Sequence, residues 1–159
     1  MGPARSKHAI VLLPTRSGER LLEEELTRSV IGAFFAVHNR LGFGFLEHVY
    51  ATALEVELKA LGHTVARELD VTVRYGGVEI SHQRLDMVVN ERLVVEIKAT
   101  ERLHRDAGRQ LYNYLRATSL EVGLLLHFGR SAHFYRLICD STHKPRLPRI
   151  GAKALVSRG

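Results

Sequence analysis

Residues 86–98 read Asp86-Met-Val-Val-Asn-Glu-Arg-Leu-Val-Val-Glu96-Ile-Lys98, two short apolar runs carrying two carboxylates and one lysine. Side chains alternate along a strand, so Glu96 and Lys98 share one face while Val95 and Ile97 line the other. Val88, Val89, Leu93, Val94, Val95 and Ile97 make both faces apolar, and strands buried on both sides belong to the centre of an α/β sheet. Charges placed there are costly unless they are paired, bound to a metal or opened to a cleft. The alternative is a solvated antiparallel hairpin, and those six apolar residues argue against it.

With 159 residues and 45% hydrophobic content, the chain can bury one good core, and one domain is the expected count. Cys139 is the only cysteine. An intrachain disulfide framework and a Cys-rich zinc or iron–sulfur site are therefore excluded, and a cytoplasmic protein is expected. The apolar run Ala9–Leu13 is too short for a signal-peptide core or a membrane span. The net charge of +6 is carried by the ends: residues 1–20 hold +3 and residues 141–159 hold +5, leaving −2 between them. Basic ends raise non-specific affinity for polyanions, but they equally serve solubility.

Apolar residues at 22, 26, 30, 33, 34, 37 and 41 predict a helix over 22–41, closed by Gly42 and Gly44. A second helix is expected over 46–61, with Gly62 as its stop and Glu47 on the inward face with Tyr50, Ala51 and Leu54. Strands are expected over 63–75, 78–89 and 93–98, with Gly76-Gly77 and Asn90-Glu91 as turns. A helix over 105–118 and strands over 121–128 and 132–138 complete the order. The expected fold class is α/β, a mixed central β-sheet flanked by helices. Residues 22–140 are expected to form one domain between tails 1–21 and 141–159.

Gly44-Phe-Leu-Glu47-His-Val-Tyr50, the Arg84-Leu-Asp86 strand, Val95-Glu96-Ile-Lys98, Gln110-Leu-Tyr-Asn-Tyr114-Leu115 and Gly123-Leu-Leu-Leu-His-Phe-Gly129 follow one another in order. Together they closely resemble the GxxExxY family, generally assigned to the PD-(D/E)xK nuclease-like superfamily, over residues 22–139. The resemblance implies a restriction-endonuclease-like core with metal ligands at the ends of its second and third strands. It implies Asp86 and Glu96 as carboxylate ligands, with the Ile97 carbonyl and Glu47 as further oxygens, and Lys98 beside the attacking water. Gln110 and Tyr114 resemble the Gln-x-x-x-Tyr element that lies near the substrate backbone in exonuclease-like members. His127 stands where the family usually has Asn.

The residue chemistry agrees with that allocation. Mg²⁺ or Mn²⁺ takes hard oxygen ligands, and Mg²⁺ is commonly held by one or two carboxylates, whereas no Cys/His zinc shell is available. A lysine ammonium can orient water and neutralise charge developing on a phosphate. Each residue also has a plainer reading. Glu96–Lys98 fits a strand salt bridge, Glu47 a cap or ion pair, and Gln110 and Tyr114 an ordinary helix face. Tyr50 and His127 read more readily as core residues than as catalytic ones. Arg84 is expected beside Asp86, as its ion-pair partner or as a phosphate contact.

A metal-dependent nuclease acting on DNA, or failing that RNA, is the leading reading. A nuclease-fold module that binds nucleic acid or protein without cutting is the second, and a purely structural or regulatory interaction protein is the third. A homodimer would suit duplex cutting.

Overall fold

The computed structural model describes residues 23–140; the two basic tails, the run Ala9–Leu13 and Leu22 lie outside them. The elements are α1 (Glu24–Leu41), α2 (Glu47–Ala60), β1 (Val65–Tyr75), β2 (Val78–Val89), β3 (Leu93–Lys98), α3 (Ala107–Ala117), β4 (Val122–Phe128) and β5 (Ala132–Ile138). All eight expected elements are present, with ends shifted by up to two residues. The strands form one sheet in the order β1-β2-β3-β4-β5. Neighbours are antiparallel except β3 and β4, which run parallel. Parallel neighbours need a crossover, and α3 supplies it.

Helices cover both faces. Leu26, Val30, Phe34 and Val37 of α1 and Tyr50, Leu54 and Leu58 of α2 pack with Val95, Ile97, Leu124 and Leu126. On the opposite face, Leu111, Tyr114 and Leu115 of α3 pack with Leu85, Val88, Val94 and Leu125. Val94 and Val95 thus enter different cores, as period-2 alternation requires. Gly123 lets α3 come close: a Cβ there would lie 2.8 Å from Leu111.

The turns follow their chemistry. Gly76 and Gly77 both have positive φ, as a two-residue hairpin of the primed type demands. Asn90 and Glu91 (φ 51° and 56°) turn β2 into β3. No helix among the described residues is long and apolar enough to cross a membrane.

The alternation of β2 breaks at Asp86. Leu85 belongs to the α3-side core, whereas Met87, two residues on, belongs to the opposite one. Across the sheet, Glu68 of β1 has φ 53°, and it is skipped in a register that is constant from Val65 to Val73 and pairs Arg67 with Met87 and Leu69 with Leu85. A left-handed residue in one strand rotates the hairpin's faces locally, as bulges do. Strict alternation had placed Arg84 on the same face as Asp86. The break instead sends Arg84 to an exposed pairing with Asp70 at 3.6 Å.

Candidate active site

The β2–β3 ladder stops after Met87 pairs with Val95, while β2 continues along β1 and β3 continues along β4 as far as Lys98 opposite His127. The two strands part at Asp86 and Glu96. In the gap, the Asp86 carboxylate accepts the Ile97 backbone N–H at 2.8 Å. Ile97 is thus engaged through its amide, and its side chain is buried in the α1/α2-side core.

Glu96 is 2% exposed. Its Oε1 meets Lys98 Nζ at 2.9 Å, while Oε2 is buried with no hydrogen-bond partner. Burial, followed by the charge of Asp86, pushes the Glu96 carboxyl up to about 7 despite the opposing pull of Lys98. Asp86 is raised too, chiefly by burial, against the Ile97 hydrogen bond and Lys98. Burial pulls Lys98 down, but the bond and charge of Glu96, with Glu47 and Asp86 behind it, outweigh that and raise it. Two crowded carboxylates and one buried unsatisfied oxygen are what a hard divalent cation relieves.

Glu47 is exposed at the first position of α2 rather than facing the core, and its Oε2 accepts the Ala99 N–H at 3.2 Å. It nonetheless lines an open groove of about 460 Å³ with Lys98, Thr100 and Gln110. Its charge is felt by Asp86, Glu96 and Lys98. The GxxExxY stretch has a structural logic around it. The Tyr50 ring is fully buried, stacked on Phe128 at 4.3 Å, and its hydroxyl donates to the Gly42 carbonyl and accepts from Phe45 N–H. Gly44 takes φ 115°, open to glycine alone at little cost, so the loop reaches α2 with Glu47 at the groove.

Gln110 Nε2 donates to the Tyr114 hydroxyl at 2.7 Å across one turn of α3. Burial and then the Glu96 charge raise the Tyr114 phenol, which places this pair beside the carboxylates. Arg84 is the sequence candidate not brought into the site. His127 is buried, its Nε2–H donating to the Thr100 carbonyl at 2.7 Å. It serves as a strut for the loop after Lys98, and burial lowers its pKa. Sequence reasoning missed Thr100, whose hydroxyl donates to Arg102 O and closes that loop. A Thr two residues beyond the lysine carries no pattern that would mark it.

Among the described residues, no three His, Cys, Asp or Glu side chains sit close enough to form a metal cluster. A divalent cation here would draw its remaining ligands from water and main-chain oxygen, as Mg²⁺ usually does.

Ser29, His63 and Asn90 also stand at triad-like distances, 2.7 Å from Ser29 Oγ to His63 Nε2 and 3.0 Å from His63 Nδ1 to Asn90 Nδ2. The Thr64 N–H can only donate, and it holds Asn90 Oδ1 at 2.8 Å. Asn90 Nδ2 therefore donates to Nδ1, and the His63 proton sits on Nε2, facing Ser29. That is the wrong tautomer for a general base, so this network ties α1 to the β2–β3 turn.

The family model described as PD-(D/E)XK nuclease superfamily matches residues 24–137. The chain belongs to the PD-(D/E)XK nuclease superfamily. The superfamily's nucleases generally use divalent metals and act on nucleic acid. No curated protein matches the chain. The solved structure titled "Crystal structure of SSO0001" is similar at 22% identity and a TM-score of 0.47, over 73% of this chain and 59% of that one. The chain thus spans less than two thirds of that protein's length.

Proposed function

We propose that this PD-(D/E)XK chain, in its GxxExxY branch, is a cytoplasmic Mg²⁺- or Mn²⁺-dependent nuclease that hydrolyses phosphodiester bonds in DNA. The observation that carries the reading is Glu96: a buried carboxylate with one unpartnered oxygen, next to Asp86 and bonded to Lys98, at the point where β2 and β3 separate. Asp86, Glu96 and the Ile97 carbonyl would hold the ion, with Glu47 across the groove contributing its oxygen through a bound water. A divalent ion bound there supplies Lewis acidity toward phosphoryl oxygen and water.

The chain's own groups do the rest. Lys98 Nζ, fixed by Glu96 at 2.9 Å, orients the attacking water and offsets negative charge building on the phosphate. Tyr114, with its oxygen already accepting from Gln110, keeps its O–H to donate toward a phosphate oxygen, and Gln110 positions it. Thr100 and His127 hold the loop that follows Lys98, so the ammonium approaches from a fixed direction.

The test is cleavage of labelled single-stranded, duplex and branched DNA, with an RNA control, in Mg²⁺ or Mn²⁺ and in EDTA. Metal-dependent cleavage lost in both Glu96→Ala and Lys98→Ala supports the proposal. Metal-independent binding that both variants preserve, without cleavage, overturns it in favour of a non-cutting module.

A further inference from the structure

Two further grooves flank α3, and each shares lining residues with the one that holds Lys98. The first, about 590 Å³, lies between α3 and the β1–β2 hairpin. Val73 and Gln83 form its hairpin side, and Arg109, Asn113 and Arg116 its helix side. Asp106 and Gln110 line both it and the Lys98 groove. The second, about 400 Å³, lies on the opposite flank of α3 against β4 and β5. Leu103, Leu125 and Leu137 make it apolar, Arg105 stands on it, and the Tyr135 ring is 39% exposed. Leu103 and His104 line both it and the Lys98 groove. The three grooves therefore adjoin one another, tracing a path that bends around the first turn of α3.

We propose that this path binds a single strand of nucleic acid, running from the arginine-lined groove under the hairpin, past Lys98, into the apolar groove beside Tyr135. This inference rests on the nuclease reading and names its substrate class. Curvature argues against a duplex: a turn around an α-helix about 10–12 Å across is far tighter than the smooth bends of roughly 40–90° over about 20–30 base pairs that already cost duplex DNA elastic energy. A single strand turns at every nucleotide. Arg109 and Arg116 stand two turns apart on α3 to meet phosphates, while Tyr135 with its leucine walls offers a face on which a base can stack. Gly108 opens that second groove, because nothing lies within 4 Å of where its Cβ would be.

The test is fluorescence anisotropy of the full chain in EDTA, using a labelled 15-nucleotide single strand and a hairpin duplex of equal length. Cleavage in Mg²⁺ or Mn²⁺ is measured in parallel. Arg116→Glu probes the first groove. Gly108→Leu fills the second while favouring the helix, so a raised or unchanged melting temperature shows that any loss of binding is not a loss of fold. Arg28→Glu, on α1 across the sheet, is the control. The expected result is single-strand binding at least tenfold tighter than duplex binding, weakened about tenfold by each groove variant and unaffected by the control. Equal or tighter duplex binding overturns the single-strand assignment. Unaltered binding by folded Gly108→Leu overturns the path, even if cleavage persists. Binding with the expected dependences but no cleavage supports the path and removes the hydrolytic reading instead.

Discussion

The Asp86 carboxylate occupies the acceptor position that a β2 main-chain carbonyl would hold if the ladder with β3 continued past Met87, receiving the Ile97 N–H at 2.8 Å. One side chain thus both closes the sheet and faces the site. Asp86→Ala should leave that donor unmatched and cost about 1–3 kcal/mol, besides abolishing metal affinity. Asp86→Asn keeps an acceptor and should stay close to wild-type stability while losing metal affinity. Urea denaturation with calorimetric metal titration separates the two effects.

Glu96 should make the metal-free protein less stable as pH rises. Its carboxyl is near 7 when folded, against an ordinary value of 4.5. The folded state therefore holds a proton that the unfolded chain releases, so stability is greatest below 4.5 and declines through about 7. Asp86, also raised, adds in the same direction. Melting curves in EDTA from pH 4.5 to 8 should show this decline, and Mg²⁺ should reverse it most strongly above pH 7.

Glu96→Gln should remove that penalty and leave a better-folded, inactive protein. A carboxyl moved from 4.5 to about 7 corresponds to roughly 3 kcal/mol. Loss of the Lys98 ion pair offsets part of it, so a gain of about 1–2 kcal/mol at pH 8 is expected in EDTA. Equal or lower stability in chemical denaturation would contradict the burial argument.

Lys98→Ala should leave metal affinity within a few-fold of wild type while lowering turnover by about 100-fold or more. Single-turnover kinetics at saturating metal measures the chemical step directly.

Tyr50→Phe should keep the ring stack on Phe128 but release the Gly42 carbonyl and the Phe45 N–H. We expect a loss of about 0.5–1.5 kcal/mol and a several-fold fall in turnover as Glu47 loses its fixed approach. Denaturant melts and kcat report the two effects.

The elements were legible because their signals are local. Helical spacing from Leu26 to Val37, the Gly76-Gly77 turn and the doubly apolar β3 each name their structure within a few residues. The pairing of Glu96 with Lys98 was legible for the same reason, by strand period alone. Arg84 was misplaced because Glu68 adopts a left-handed conformation that composition does not announce, and this reverses the faces of a strand eighteen residues away. Glu47 on the inward face failed differently. Helical phase set its direction, but as the first residue of α2 it lies beyond the part of the helix that packs on the core.

The β1–β2 arm extends past the packed layers: Tyr75, Val78 and Ile80 are exposed near its tip, while Leu69 and Leu85 pack with α3 at its root. Val71 still belongs to the core at that root, but from Arg74 to Ile80 every residue is exposed, so cross-strand pairs there can be added or removed without changing a core contact. The reach of this arm is therefore a dimension that selection can adjust independently of the chemistry at its base.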